Sequence, residues 1–288
     1  MPTGCAVVGP VGTHKQRGLV TSVIGYQVRL GRLFREESGR SFITAIDHGV
    51  TLGVPAGAER AVETVERIVA GGPDAVLIGP GLFAKVWAPV CDEGRAGPGD
   101  SGGFLCQPSV PGPPWRALPA TGLAGGRGIA MGGEAMIMFL MLGAGGEGMF
   151  ADNVAAVGRA AQEAHRVGLP LIVEAVLWGS QIENKKDPER LAFACRMAVE
   201  LGADAIKTEY TGDPVTMRQI IETCPAPVLV LGGAKSDSVA DVLEATRGAM
   251  EAGARGVIYG RNVWQHDDPV AVSRQLRDII HSHALAVR

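Results

Sequence analysis

Several features that would assign a compartment or a partner are missing from this sequence of 288 residues. No apolar run approaches the roughly 20 residues that cross a bilayer, and the N-terminus has no secretory pattern. The net charge of −3 shows no basic excess, which argues against a nucleic-acid or anionic-membrane partner. We therefore expect a cytoplasmic protein that binds neither nucleic acid nor membrane.

Disulfide and metal signatures are also missing. The five cysteines are scattered, odd in number and without a Cys-x-x-Cys pair, which disfavours both a disulfide framework and a zinc knuckle. The six histidines are equally dispersed, and only His48 lies at a predicted strand end. A multi-histidine catalytic metal site is therefore not expected.

What the sequence does contain is a repeated alternation of short apolar strands and helices. Strands at 42–49 and 75–80 flank a helix at 58–70. The predicted strand and helix pairs that follow are 134–142 with 150–167, 170–177 with 187–201, 203–209 with 214–223, 227–232 with 237–252, and 255–260 with 268–282. Apolar strands without alternation indicate a parallel sheet that is covered on both faces. With one further strand between 82 and 133 the count is eight, which favours an α/β fold of the (β/α)8 TIM-barrel class over an open sheet.

The chain divides into an N-terminal leader with a barrel-closing helix, residues 1–37, and a barrel, residues 38–288. One stretch of the barrel, at about 91–130, has Gly or Pro at 16 of its 40 positions. Such a composition favours irregular structure, and only Gly103-Phe104-Leu105-Cys106 could form the third strand. We predict a poorly regular segment here.

Catalytic groups of such a barrel are expected at the carboxyl ends of its strands. Lys207 lies at the end of its strand and shares a face with Ala203 and Ala205, so that the lysine has space around it. An amine in a semi-apolar pocket loses its preference for the charged form and can condense with a carbonyl as a Schiff base. The alternative is a strand-end lysine that reaches solvent.

Two glycine-bearing turns indicate a phosphate site. Gly232 and Gly233 follow the seventh strand together with Lys235, and Gly260 follows the eighth together with Arg261. Glycines let backbone amides approach an anion, and the helix that follows adds its N-terminal partial charge. Barrels commonly hold a phosphate at this place, so we infer a phosphorylated substrate. The alternative is that these glycines only permit tight turns.

A glycine-rich motif offers a different interpretation. Residues 143–148, Gly-Ala-Gly-Gly-Glu-Gly, follow a strand and precede a helix, which is the context of a dinucleotide fingerprint. Glu174 could then act as the ribose-binding carboxylate. The motif begins at the fourth strand of a repeating barrel pattern, however, so a nicotinamide enzyme is the less favoured alternative.

Four motifs together resemble a known family. They are Ile46-Asp47-His48-Gly49, Ile206-Lys207-Thr208-Glu209-Tyr210-Thr211-Gly212-Asp213, Gly232-Gly233-Ala234-Lys235 and Gly260-Arg261-Asn262-Val263-Trp264-Gln265. Over about residues 28–90 and 132–285 the sequence resembles the archaeal-type class I aldolases, the family that joins fructose-bisphosphate aldolases with aminodideoxyheptulosonate synthases. The resemblance implies a (β/α)8 barrel, often assembled into decamers, with no metal requirement and no cofactor beyond a covalent Schiff base.

The resemblance also implies roles for individual residues. Lys207 matches the Schiff-base lysine, and Asp47 matches the carboxylate that handles a substrate hydroxyl and assists proton transfer. His48 and Glu209 are further candidates for substrate binding. The residues that match the phosphate site are Gly232, Gly233, Lys235, Gly260 and Arg261.

One departure from the family concerns proton transfer. Family members usually carry an acid/base tyrosine near the end of the fifth strand, and Val176 stands at that position here. Valine cannot move a proton. Glu174 shares the face of Val176 one layer deeper, so our hypothesis is that Glu174 or Glu209, with Asp47, takes over proton transfer.

The sequence therefore predicts a class I aldolase that cleaves or forms a carbon–carbon bond next to the carbonyl of a phosphorylated ketone such as dihydroxyacetone phosphate. Fructose 1,6-bisphosphate is the default substrate by resemblance, and a homo-oligomer, a decamer by resemblance, is the expected assembly. One alternative is a biosynthetic aldolase that condenses a dihydroxyacetone phosphate unit with aspartate semialdehyde on the way to aromatic precursors. A thiolase-like relative that lacks the tyrosine is another. From a different class, the chain could be a non-catalytic barrel that binds a sugar phosphate.

Overall fold

The computed structural model describes residues 13–91, 103–106, 129, 132–143, 147–179 and 182–282. Its eight strands are all parallel and close into a barrel in chain order. They are β1 Ser41–Ala45, β2 Ala75–Ile78, β3 Gly103–Cys106, β4 Gly133–Leu142, β5 Leu171–Leu177, β6 Ala205–Glu209, β7 Val228–Leu231 and β8 Gly256–Tyr259. The predicted (β/α)8 fold class is confirmed.

Helices cover the outside of the barrel. Their bounds are α1 Thr13–Leu33, α2 Ala61–Ala70, α3 Pro80–Cys91, α4 Glu147–Arg166, α5 Pro188–Glu200, α6 Pro214–Thr223, α7 Val239–Glu251, α8 Arg261–Trp264 and α9 Pro269–His281. Crossing a membrane would require a longer and more apolar helix than any that the structure describes.

Three of these helices begin at an Asp-Pro pair, which explains why their starts can be predicted. Asp187, Asp213 and Asp268 each accept a hydrogen bond from a backbone N–H three residues ahead, at about 3 Å. The carboxylate satisfies one of the unpaired donors of the first turn, and proline suits the first helical position because its missing N–H has no partner to lose. These local signals determine where α5, α6 and α9 begin.

The third strand forms at Gly103–Cys106, the segment that the sequence analysis identified as able to form it. Gly103–Cys106 pairs with β2 on one side and with β4 on the other, which closes the ring. Its register with β4 shifts between Phe104 and Leu105. The other predictions concern residues 92–102 and 107–128 of the glycine- and proline-rich segment and leader residues 1–12, which lie outside the described residues.

The barrel interior is filled by alternate residues of the strands. Leu33 at the end of α1 is buried against this interior set. That α1 closes the barrel stays a prediction. Side chains of a strand alternate between its two faces, and therefore the residues two positions beyond the interior set also point inward. For Ala45, Ile172 and Ala205, those next inward positions are Asp47, Glu174 and Lys207. The interior set is Ile43, Ala45, Ala75, Leu77, Ala135, Ile137, Ile172, Ala205, Leu229 and Ile258.

Candidate active site

The carboxyl ends of the strands surround a cavity of about 790 Å³. Its lining brings together nearly all of the residues that the sequence singles out. They are Asp47, His48, Glu174, Lys207, Glu209, Gly232, Gly233, Gly260 and Arg261. Lys235 is the exception, because its side chain is exposed and does not line the cavity. Its contribution to phosphate binding stays a prediction.

A buried ion pair lies at the floor of this cavity. Lys207 Nζ donates to Glu174 Oε2 at 2.7 Å, and the two side chains are only 8% and 10% exposed. The pairing of β5 with β6 places the two residues directly opposite each other, which produces the contact. Burial raises the pKa of the Glu174 carboxyl, and the Lys207 ammonium opposes that shift. The contact is therefore an ion pair whose two charged groups have lost most of their hydration.

Two further carboxylates flank the lysine. Asp47 follows β1 and is buried, and Glu209 lies one inward position beyond Lys207 on β6. Burial raises the pKa of Glu209, against the lowering effect of Lys186, Lys185, Lys207 and Arg261. The nearby carboxylates Asp47 and Glu209 also raise the pKa of Glu174. Lys207 therefore lies among the carboxyl groups of Asp47, Glu174 and Glu209, which differ in environment and could give and accept protons around one carbonyl.

His48 lies beside Asp47 with a neutral ring. Burial lowers the pKa of His48 to about 4, and the cations Lys207 and Arg261 add to this lowering against Asp47. The imidazole packs edge-on against Trp264, with 5.4 Å between the ring centroids. Its Nδ1 is buried and has no hydrogen-bond partner among the described residues, although Asp47 Oδ1 lies 3.7 Å away. A neutral imidazole at the cavity wall is suited to hydrogen-bond a substrate hydroxyl.

The glycine turns approach the site closely. Gly233 has a φ of +65°, a left-handed conformation that favours glycine. At Gly260 a β-carbon would lie 2.3 Å from His48 Cε1 and 2.8 Å from the Ala45 carbonyl oxygen, so only glycine fits there. Arg261 Nη2 donates to the Gly233 carbonyl at 2.8 Å, which joins the two turns. Within the part of the chain that the structure describes, the buried Nε of Arg261 has no hydrogen-bond partner. An anion bound at these turns could accept a hydrogen bond from this guanidinium N–H.

Asn262 holds the turn after β7 in shape. Its Nδ2 donates to the carbonyls of Gly232 (2.6 Å) and Ala234 (3.1 Å), and its Oδ1 accepts from the Ser236 N–H (2.7 Å). The amide side chain is buried. One side chain thus satisfies three backbone groups of the turn, a role that its place in the Gly-Arg-Asn motif does not reveal without the structure.

We expect Asn262→Ala to raise the KM for a phosphorylated substrate several-fold while leaving kcat largely intact. The reason is that the turn loses its three side-chain bonds, at a cost of about 1–3 kcal/mol for buried groups left unpaired. Steady-state kinetics and thermal unfolding check this. Thr64→Val is the matched control, since Thr64 also bonds two backbone carbonyls, at 2.8 and 2.9 Å, away from the cavity. An equal effect of both variants on KM would contradict the assignment.

Val176 lines the cavity at the place where a proton-transferring tyrosine was expected. It faces inward above Glu174, as the alternation of β5 predicts. Trp178, Lys185 and Lys186 also line the cavity and were missed by the sequence analysis as site residues. Among the residues that the structure describes, no cluster of three or more His, Cys, Asp or Glu could hold a metal ion.

The glycine-rich motif at 143–148 has a packing explanation at its first residue. Gly143 directly follows β4 with a φ of +94°, and a β-carbon there would lie 2.5 Å from Ile182 Cδ1. Residues 144–146 lie outside the described residues. Gly143 is therefore required by the turn and by the close approach of Ile182, independently of any dinucleotide.

Comparison with known proteins gives a consistent result. The family model described as DeoC/LacD family aldolase matches residues 125–266. An uncharacterized aldolase of Saccharolobus solfataricus is 30% identical over 271 residues, which cover 91% of this chain and 96% of that protein. A 2-amino-3,7-dideoxy-D-threo-hept-6-ulosonate synthase of Halobacterium salinarum is 30% identical over 262 residues, 90% of this chain and 93% of that protein.

A solved structure agrees over the same extent. An archaeal fructose-1,6-bisphosphate aldolase, with its catalytic lysine covalently bound to the carbinolamine intermediate of its substrate, has a TM-score of 0.73 and 27% sequence identity. The match covers 89% of this chain and 99% of that one.

Proposed function

This chain belongs to the DeoC/LacD family of aldolases and is a class I, Schiff-base aldolase, and we propose that Lys207 is its Schiff-base lysine and a phosphorylated ketone its substrate. The observation that carries the proposal is the buried Lys207, paired with Glu174 at 2.7 Å in the cavity that the two glycine turns also line. Schiff-base chemistry uses the lysine itself as the covalent catalyst and requires no bound cofactor.

The first step needs a neutral amine. Lys207 transfers its proton to Glu174, whose pKa is raised by burial, and Nζ attacks the carbonyl carbon of the ketone to give a carbinolamine. Glu174, now protonated, gives its proton to the carbinolamine hydroxyl, which leaves as water. The product is an iminium at Lys207. Glu174 therefore acts as both the acid and the base, a role that Val176 cannot fill because valine carries no proton to transfer.

The second step breaks or forms the carbon–carbon bond. In cleavage, a carboxylate takes the proton of the hydroxyl beyond the bond, the aldehyde leaves, and the bonding electron pair moves into the iminium to give an enamine. Asp47 and Glu209 both face this region and are the bases that we propose, with His48 as a hydrogen-bonding partner of the substrate. Protonation of the enamine carbon and hydrolysis by water release the ketone and restore Lys207.

In this proposal the phosphate of the ketone binds at the turns after β7 and β8. Backbone N–H groups at Gly232 and Gly233 and the side chain of Arg261 supply the donors, and Asn262 keeps the turn in shape. Dihydroxyacetone phosphate fits this description, and fructose 1,6-bisphosphate is the default ketose because the archaeal aldolase of similar structure acts on it.

A second candidate is the biosynthetic aldolase. The heptulosonate synthase relative matches 90% of this chain, about the same extent as the aldolase structure. In this candidate the dihydroxyacetone phosphate unit condenses with aspartate semialdehyde. The Lys207 chemistry is the same in both cases, so the difference lies in the aldehyde partner alone.

Borohydride trapping tests the proposal. Incubation of the protein with dihydroxyacetone phosphate and sodium borohydride should reduce the iminium to a stable amine, and mass spectrometry should find the adduct on the peptide that contains Lys207. Binding of dihydroxyacetone phosphate without an adduct would instead favour the non-catalytic barrel. Inorganic phosphate in place of the ketone is the control, since it fills the turns but cannot form an iminium.

Two further expectations concern the protein in the cell. We propose a homo-oligomer, for which the family resemblance implies a decamer, and a cytoplasmic location. Both stay predictions.

A further inference from the structure

A second cavity, of about 440 Å³, lies at the opposite end of the barrel from the active site. Arg35 precedes β1 and Asp47 follows it, and this strand alone, at about 3.3 Å per residue, separates the two ends by roughly 16 Å. Most of the lining shares one face of α9 near its carboxyl end, and Arg35 comes from the loop between α1 and β1. The lining residues are Arg35, Arg274, Arg277, Asp278, His281 and Ser282.

Hydrogen bonds hold two of the lining side chains in place. Arg35 Nε donates to Asp74 Oδ1, and Asp74 Oδ2 accepts from the Phe42 N–H at 2.6 Å. The ring of His281 lies between Asp74 Oδ2, 3.0 Å from Nε2, and Ser38 Oγ, 2.8 Å from Nδ1. A serine, a histidine and an aspartate in this order could form a hydrolytic triad, but Ser38 is 2% exposed and does not line the cavity. The bonds therefore orient the imidazole and the guanidinium.

Two glycines between α2 and β2 give Arg277 its place. A β-carbon at Gly72, whose φ is +64°, would lie 2.5 Å from Arg277 Nη1, and one at Gly71 would lie 2.5 Å from Ser273 Oγ. Ser273 and Arg277 are neighbours on one face of α9, so this helix packs directly on the backbone of the glycine turn. The Arg277 guanidinium is therefore positioned at the cavity wall.

The lining of this cavity carries more positive than negative charge. Its three arginines face one lining carboxylate, Asp278. Arg35 is paired with Asp74, which lies behind the lining. Neither Arg274 nor Arg277 forms a salt bridge with a residue that the structure describes. These two cations against Asp278 alone leave a positive charge for a ligand.

The surroundings of the cavity add to this charge. The acidic residues of the loop before β1, Glu36 and Glu37, are exposed and do not line the cavity. Arg40 is buried, and its Nη1 donates to the Ile280 carbonyl at 3.0 Å, while its Nε has no hydrogen-bond partner in the described ranges. Burial and the neighbouring Arg255 cation both lower the pKa of Arg40. Uncompensated cations behind a cavity favour an anion inside it.

We propose that the cavity between α9 and the loop before β1 is a second ligand site, which binds a small phosphorylated molecule. The forked guanidinium groups of Arg274 and Arg277 match the paired oxygens of a phosphate. A volume of about 440 Å³ suits a metabolite. The site lies apart from Lys207 and from the turns after β7 and β8, so it does not depend on the proposed aldolase function.

Calorimetric titration of the full chain with inorganic pyrophosphate tests the site. Arg274→Gln combined with Arg277→Gln should weaken binding at this site roughly tenfold or more, because two charged donors are lost. Arg261→Ala should leave this site unchanged, since it alters only the phosphate turns of the active site. Thermal unfolding of the double variant should match that of the unaltered chain. Identical titration curves for the unaltered chain and the double variant would overturn the site.

Asp278→Asn provides a test of opposite sign. Loss of the one carboxylate of the lining should tighten pyrophosphate binding several-fold, because it removes a repulsion. Arg247→Gln is the matched control, since Arg247 is an exposed arginine that pairs with Glu244 outside the lining, and it should change nothing. Weaker binding in Asp278→Asn, or the same loss in Arg247→Gln as in the double variant, would refute the site. Borohydride trapping at Lys207 decides the aldolase function separately.

Discussion

Replacement of Lys207 by arginine is expected to abolish borohydride trapping and to lower kcat/KM on the order of 10⁴-fold or more. Arginine keeps a positive charge beside Glu174, so the buried carboxylate does not lose its partner. It cannot form the iminium, however, because its guanidinium stays protonated in proteins. Adduct mass and steady-state turnover are the measurements, with Lys85→Arg as the control for an exposed lysine.

The expected pattern separates catalysis from binding. Lys207→Arg should still bind fructose 1-phosphate through the turns after β7 and β8, because Arg261 and Asn262 are untouched. Turnover of more than about one part in a hundred of the original rate by Lys207→Arg would show that another group is the nucleophile, since covalent catalysis has no substitute of that efficiency.

The second large effect is expected for Glu174→Gln, which should lower kcat about 10²- to 10⁴-fold, the usual contribution of a general acid or base. Glutamine is nearly the same size and can still accept a hydrogen bond from Lys207, but it can neither take up nor release the proton. Glu209→Gln is the informative comparison, because Glu209 lines the same cavity without bonding Lys207 Nζ. Unchanged turnover in Glu174→Gln would exclude Glu174 as the replacement for the tyrosine.

The pH profile adds an independent measurement. Burial raises the pKa of Glu174, and the carboxylate form is the one that takes the proton of Lys207. Activity should therefore fall as the pH drops through this raised pKa, which puts the acidic limb of the kcat/KM profile above the ordinary glutamate range. Glu174→Gln should remove that limb. A limb that persists in Glu174→Gln would assign it to Glu209, whose pKa burial also raises.

Much of this architecture can be predicted from local sequence signals. Asp-Pro pairs mark the starts of three helices, and apolar strands of constant spacing predict the parallel barrel. The inward positions follow from the alternation of each strand, which is why Glu174 could be named as a neighbour of Val176 in advance. Helix α3 is not among the predicted elements, because Pro80 was assigned to the end of the second strand, although proline fits the first turn of a helix.

The parts of the site that escaped prediction depend on distant segments of the chain. Adjacency to Gly233 made Lys235 a phosphate candidate, but the direction of a loop side chain is set by tertiary packing, and Lys235 is exposed outside the cavity lining. Lys185 and Lys186 belong to no recognisable motif. They line the cavity because the loop that contains them connects β5 to α5, which packs against the barrel. The contact between Glu174 and Lys207 likewise requires the register of β5 with β6.

The seam between β1 and β8 joins two strands from opposite ends of the barrel sequence, with Ser41 to Thr44 paired to Gly256 to Tyr259. Across this seam Trp264 Nε1 donates to the Ala45 carbonyl at 2.9 Å, and Asp47 and Arg261 approach the same cavity. A chain emerging from the ribosome therefore contains Lys207 before the last wall of the cavity has been synthesised. The cavity is closed only when the final strand has joined the first, so a chain cut short before Gly256 lacks the wall that carries Gly260 and Arg261.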